Sequence, residues 1–254
     1  MTYIRHPFFR LPLDEGAVAH DVQLRTLLKS AGAWRAEELV LEELCLPAKS
    51  QTVRADIVVT GASLTGFEIK AGKDRVTRLP VQAEAYGAVC GFANVATVPM
   101  HVNDVTATVP EWWGVWIACG LGGELAMRCV RAARPNPSRD PVRLAEMLWR
   151  DEAIAKLAEL GLGKGTASKS RAALAQKLAQ ALSIDEIDIH VQTCLRQRPQ
   201  RQPLVGVKPR VIVVPKYEMR PRSWLEPQGL RPPFINDVPV VKALSRTAAR
   251  LATM

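Results

Sequence analysis

The sequence predicts an α/β protein, a mixed sheet flanked by helices, followed by a small helical module and a basic, Pro-rich tail. Three observations predict it. Short β-prone runs near 57–60, 64–70, 94–98 and 114–118 are separated by stretches of helical period, the pattern of a sheet with crossover helices. Over 141 to 160 and 168 to 198 apolar residues recur at helical spacing. Charge is split: residues 1 to 130 carry 12 Lys/Arg against 14 Asp/Glu, whereas residues 131 to 254 carry 22 against 11. At 254 residues the chain is long enough for one or two domains with an adequate core. Its divisions read as 1–130, 141–200 and 201–254.

Asp21 to Ala31 places Val22, Leu24, Leu27 and Leu28 near helical spacing, and Glu37 to Leu44 continues as a helix or a strand. Ile57-Val58-Val59-Thr60 and Leu64-Thr65-Gly66-Phe67 then flank Gly61-Ala62-Ser63, a break of small residues that marks a hairpin. With a three-residue loop, antiparallel pairing sets 60 opposite 64, 58 opposite 66 and 56 opposite 68. Asp56 then faces Glu68, with Cβ atoms about 4.5 to 5.5 Å apart, and the period of two adds Lys70 to the same face. Like charges this close push one carboxylate towards protonation unless a cation compensates them. Mg²⁺ suits such a pair: it takes oxygen ligands and needs only one or two carboxylates, the Ile69 carbonyl being a further candidate. Lys70 beside a metal-bound water would orient it and stabilise charge developing on a phosphodiester. As a bland reading, the three are solvated charges on an exposed hairpin.

Lys73 to Tyr86 reads as a turn and then a helix. Asp74 is a candidate cap with an i,i+4 partner in Arg78, and Pro80 either divides the segment or marks a fresh first turn. Gln82 and Tyr86, four apart, share one helical face. A strand ending in Glu-x-Lys followed by a helix with Gln-x-x-x-Tyr resembles the PD-(D/E)XK nuclease superfamily, the restriction-endonuclease-like fold. Gly66 to Lys70, the run from Asp74 through Arg78-Leu79-Pro80 with Gln82 and Tyr86, and Val109-Pro110-Glu111-Trp112-Trp113-Gly114 together look like a bacterial family of uncharacterised proteins within it. Leu148 to Ala153 and Lys169-Ser170-Arg171 extend that likeness over roughly residues 20 to 200.

The resemblance implies a metal-dependent nuclease in which Asp56 and Glu68 hold Mg²⁺ or Mn²⁺ and Lys70 works beside them with Gln82. Tyr86, like Gln82, would sit beside the metal and help to hold the substrate strand. The acidic ligand ahead of the hairpin falls on Glu43, with the adjacent Glu42 as the alternative. Arg54-Ala55 stand where the superfamily motif has its proline.

Asn94 to Val98 and Gly114 to Ala118 complete the sheet, and Trp112, Trp113 and Trp116 read as packing residues. Residues 131 to 140 form a Pro-containing basic linker. The Gly161-Leu162-Gly163-Lys164-Gly165-Thr166 loop follows a helix and lacks the order of a P-loop, so it reads as a helix C-cap and turn. Lys164, Lys169 and Arg171, with Arg78, are candidate phosphate contacts. In the tail only Val211 to Val214 looks strand-forming. Five cysteines, odd in number and without a C-x-x-C pair, argue against a disulfide framework or zinc site, and the four histidines show no ligand spacing. No secretory leader or apolar stretch of spanning length is evident, so a cytoplasmic location is expected. The functional expectation is a Mg²⁺-dependent deoxyribonuclease with DNA as partner, no membrane, and a homodimer as candidate assembly. The alternative is a catalytically silent nucleic-acid-binding or interaction module of a mobile element or defence system.

Overall fold

A computed structural model describes residues 20–48, 52–121 and 124–199. The expected Val211 to Val214 strand and the whole 201–254 extension lie outside these residues. A six-stranded mixed sheet runs in the order β1-β2-β3-β4-β5-β6, with β1 at Val40–Pro47, β2 at Thr52–Val59, β3 at Thr65–Lys70, β4 at Phe92–Thr97, β5 at Gly114–Leu121 and β6 at Glu124–Arg131. The first three strands are antiparallel neighbours, β3, β4 and β5 are parallel, and β6 returns antiparallel. This is the α/β architecture that the sequence pattern predicts. The ambiguous 37–44 stretch resolves as β1. The sequence pattern misses β6, because Glu-Leu-Ala-Met-Arg-Cys-Val-Arg carries two arginines and an alanine through its run.

Parallel neighbours need a crossover, and here the crossovers are helical. α2 (Leu79–Val89) joins β3 to β4, and α3 (Val102–Thr108) joins β4 to β5. α1 (Asp21–Ser30) covers the opposite sheet face, burying Leu24 and Leu28 with Ile57, Val59, Phe67 and Ile69. The remaining helices are α4 (Pro141–Ala145), α5 (Arg150–Glu159), α6 (Arg171–Ala181) and α7 (Ile184–Gln197). Their Leu144, Leu157, Leu174, Leu178, Ile187 and Val191 enter the same core as Val58, Tyr86, Val95 and Trp113. Helices α4 to α7 and the sheet therefore share one buried interior.

α7 also pins the β2–β3 hairpin loop. Gln192 Oε1 accepts from the Gly61 amide at 2.8 Å, while the buried Asp188 takes the Ser63 hydroxyl and, at 2.5 Å, the Arg139 guanidinium. Behind α5, Gly161 takes φ 71° and the Leu162 and Gly161 amides donate to Leu157 and Ala158 carbonyls at 2.7 and 2.9 Å. That is a Schellman helix end, which accounts for the glycine-rich loop without any phosphate cradle.

Candidate active site

The hairpin register follows from its small-residue break. Val59 pairs with Thr65, Val58 with Gly66 and Ile57 with Phe67, so the expected frame holds, but the ladder stops one rung short of Asp56 and Glu68. The two strands fork there. In place of the missing rung, the Asp56 carboxylate reaches across and accepts from the Ile69 amide at 2.7 Å. The Asp56 amide in turn donates to the Tyr86 hydroxyl at 3.1 Å. The same hydroxyl lies 3.0 Å from Glu68 Oε2 and 3.1 Å from the Phe67 carbonyl, and its single proton favours the carboxylate, the stronger acceptor.

The Tyr86 ring can lie this close to β3 because residue 66 is glycine. A Cβ there would stand 2.3 Å from Tyr86 Cδ1. Tyr86 is fully buried, against a T-shaped Trp113 at 5.4 Å. It thus touches the fork from inside the protein, behind Glu68. Gln82, one turn earlier on α2, presents Oε1 to Lys70 Nζ at 2.9 Å, and Lys70 donates a second bond to Glu68 Oε1 at 2.6 Å. Glu68, Lys70 and Gln82 are all buried. The i,i+4 spacing of Gln82 and Tyr86 is what lets one helix face serve Lys70 and Glu68 together.

Burial pushes the Glu68 carboxyl up, opposed by the charge and hydrogen bond of Lys70. Asp56 is pushed up to about 7, first by burial and then by the nearby charge of Glu68. The fork therefore concentrates negative charge that a single lysine does not neutralise.

A residue that sequence reasoning missed stands on the other side of Asp56. Arg25 of α1 donates to the Asp56 carbonyl at 2.8 Å and lies 3.6 Å from its carboxylate. It also meets Asp21 at 2.7 Å, Glu43 at 2.9 Å and Glu42 at 3.7 Å. Nothing in the sequence flagged Arg25, since a basic residue four after an acidic one is ordinary on a helix. Glu43 departs from regular strand geometry: its φ is 58°, a left-handed backbone that disfavours side chains by about 1–2 kcal/mol. The β1–β2 ladder lacks the rung between Glu43 and Asp56, although Glu42 pairs with Ile57 and Leu44 with Ala55. Both strands slip phase there. Val53 and Ala55 face the same core as Val58, two and three residues apart, while Ile57 and Val59 face the other.

Glu43 itself is taken by Arg25 and by Arg54, whose Nε lies 2.6 Å away. Among the described residues, no three His, Cys, Asp or Glu side chains gather into a metal-holding group. The structure brings together Asp56, Glu68, Lys70, Gln82 and Tyr86, and directs Glu43 to the two arginines.

The candidate phosphate contacts divide. Arg78 is exposed at the N-cap of α2, and Asp74 does not pair with it among the described residues. Asp74 instead accepts from the Ala71 amide at 2.7 Å, and Pro80 lies in the first turn of α2. Lys164 and Lys169 are exposed on the α5–α6 connection. Arg171 is exposed too, yet its guanidinium is spent on the Glu146 carbonyl, tying α6 to the end of α4. No helix among the described residues is long and apolar enough to cross a membrane.

Compared with known proteins, residues 20–208 match the family described as Bacteriophage P4 protein cII. No curated protein and no solved structure matches.

Proposed function

This chain belongs to the bacteriophage P4 protein cII family, and for it we propose a Mg²⁺- or Mn²⁺-dependent nuclease that hydrolyses phosphodiester bonds in DNA. The observation that carries this reading is the fork itself. Two carboxylates, Asp56 and Glu68, converge beside a buried lysine that Gln82 holds in place. The residues present suit a hard divalent cation. A carboxyl pushed up to about 7 by burial and by its acidic neighbour is a conflict that an added cation removes. Asp56 and Glu68 would hold the ion, together with the Ile69 carbonyl. The ion would make a bound water nucleophilic at neutral pH and neutralise charge on the phosphodiester.

The chain's own groups supply the rest. Lys70 Nζ has two of its three donors fixed by Glu68 and Gln82, leaving one for the attacking water or the phosphate oxygen. Tyr86 fixes Glu68 Oε2 and the Asp56 amide, so both carboxylates keep their places as charge builds between them. Glu43 takes no part in this set. With DNA as substrate the protein would act in the cytoplasm, and a homodimer would cut both strands.

A second reading has its own support. Both Glu68 oxygens already have donors, so the site is coherent without an ion. Family membership also associates the chain with phage proteins, which suits a mobile-element DNA-binding module that does not cut. Incubating the purified protein with linear, nicked, branched and single-stranded DNA, with Mg²⁺, Mn²⁺ or chelator, separates the two. Metal-dependent cleavage is expected; DNA binding without cleavage of any substrate would select the second reading.

A further inference from the structure

Residues 71–78 leave the candidate site and return to it. The segment starts at Lys70, the last residue of β3, and ends at α2, whose Gln82 holds Lys70 Nζ at 2.9 Å. Its first turn is pinned: Asp74 accepts the Ala71 amide with its carboxylate at 2.7 Å and donates its own amide to the Ala71 carbonyl at 3.0 Å. Val76–Arg78 then form one 3-10 turn. The backbone that carries these cations is therefore ordered by its own hydrogen bonds; Arg75 is five residues from Lys70, about 17 Å if the chain were fully extended, and Arg78 caps α2 four residues ahead of Gln82.

Lys73, Arg75 and Arg78 are all exposed. None has an acidic partner within ion-pair distance among the described residues. Arg75 is the N-cap of that turn, in extended backbone (φ −96°, ψ 129°), and Arg78 is its last residue. The one acid of the segment, Asp74, is committed to the backbone of the turn.

We infer that Lys73, Arg75 and Arg78 form the track on which a duplex DNA backbone lies as it reaches the Asp56–Glu68–Lys70 fork. The inference rests on the nuclease reading for its substrate. Duplex DNA is the occupant that charge complementarity favours, because three exposed cations without acidic partners among the described residues give a regularly spaced line of phosphates the positive charge that the acidic fork lacks. Guanidinium groups grip phosphate oxygens through paired donors.

The test is binding of the full-length protein to a short labelled duplex in chelator, so that no cleavage intervenes, between about 50 and 200 mM salt. Replacing all three residues, Lys73→Gln, Arg75→Gln and Arg78→Gln, should reduce the slope of log affinity against log salt by about 2.7, from about 0.9 per lost phosphate contact. Arg75→Gln alone should reduce it by about 0.9. A melting curve verifies that the triple variant folds; if it does not, the single variant carries the test. An unchanged slope overturns the track, as does a triple variant that loses affinity for anionic phospholipid vesicles but keeps its duplex affinity. The nuclease reading fails separately, on the cleavage assay of wild-type protein with metal. Cleavage with an unchanged slope removes the track alone, and a lowered slope without cleavage removes the nuclease alone.

Discussion

Glu68 and Asp56 meet at one fork and live in opposite circumstances. The Glu68 side chain is 1 % exposed, and each of its oxygens has a donor, Lys70 on one and Tyr86 on the other. Asp56 is 21 % exposed and looks towards a crowd of charges, with Arg25 shared among Asp21, Glu42, Glu43 and Asp56 itself. One half of the site is closed and satisfied, the other open and short of positive charge. A buried ion pair responds steeply to loss of either member, whereas a half-exposed charge cluster spreads its energy and responds to solvent conditions. The closed half would then fix geometry, and the open half would be where an added cation is felt.

Breaking the closed half should produce the largest effect. Lys70→Ala strands Glu68 as a buried unpaired charge, a loss of about 3–5 kcal/mol of stability. Cleavage should fall by about 10² to 10³, the scale of one lost preorganised electrostatic contact. The double variant Glu68→Gln/Lys70→Met removes both charges, so its melting temperature should return most of the way to wild type while cleavage stays lost. Lys70→Ala melting with the wild-type protein would show that the two halves do not differ as described.

The open half should announce itself through pH. Asp56, pushed up to about 7 in the fold, binds a proton more readily there than in the unfolded chain. Glu68 faces it from β3, and Arg25 and Asp21 face it from α1. Below the unfolded value near 3.9 the two states are equally protonated and its contribution is complete. As pH rises towards 7 that contribution is lost, by up to about 4 kcal/mol, and above 7 the dependence is flat. Asp56→Asn removes the ionisation. In chelator, its stability relative to wild type should therefore increase from pH 4.5 to about pH 7 and then level off, by chemical denaturation at each pH. A constant difference would mean that Asp56 is no more strained than a surface carboxylate.

What the sequence reveals follows the same division. The closed half was legible because its information is local and periodic. Gly61-Ala62-Ser63 marked the turn, alternation set Glu68 and Lys70 on one face, and a spacing of four put Gln82 and Tyr86 against them. Even there, burial is invisible: nothing in Gln-x-x-x-Tyr says that Tyr86 packs against Trp113 and over Gly66. The open half depends on contacts far apart in sequence and on one unusual dihedral angle. Arg25 lies 31 residues from the carbonyl it holds. The left-handed turn at Glu43 leaves no mark in Leu-Glu-Glu-Leu, a run as suited to a helix as to a strand. α3 escaped for a related reason, since Val-Asn-Asp-Val-Thr-Ala-Thr is short and rich in β-branched residues, and only its place between two parallel strands makes it a helix.

The smallest effect belongs to Glu43, and it sharpens the comparison most. Glu43 pairs with Arg25 at 2.9 Å and Arg54 at 2.6 Å, which on contacts alone suggests an important residue. Both pairs are at least partly open to solvent, and such pairs contribute about 0–1 kcal/mol each. Against them stands the left-handed backbone at φ 58°, which glycine adopts freely and glutamate does not. The two terms nearly cancel, so Glu43→Gly should leave stability within about 1 kcal/mol of wild type. Arg25, released from Glu43, keeps Asp21 and the Asp56 carbonyl, so the fork should hold its shape. Cleavage should then change by no more than a few-fold, the expected result if Asp56 and Glu68 suffice for the ion. A loss of cleavage comparable to that of Lys70→Ala, with stability intact, would instead make Glu43 a third ligand, swung in from its arginines, and the open half would be part of the chemistry.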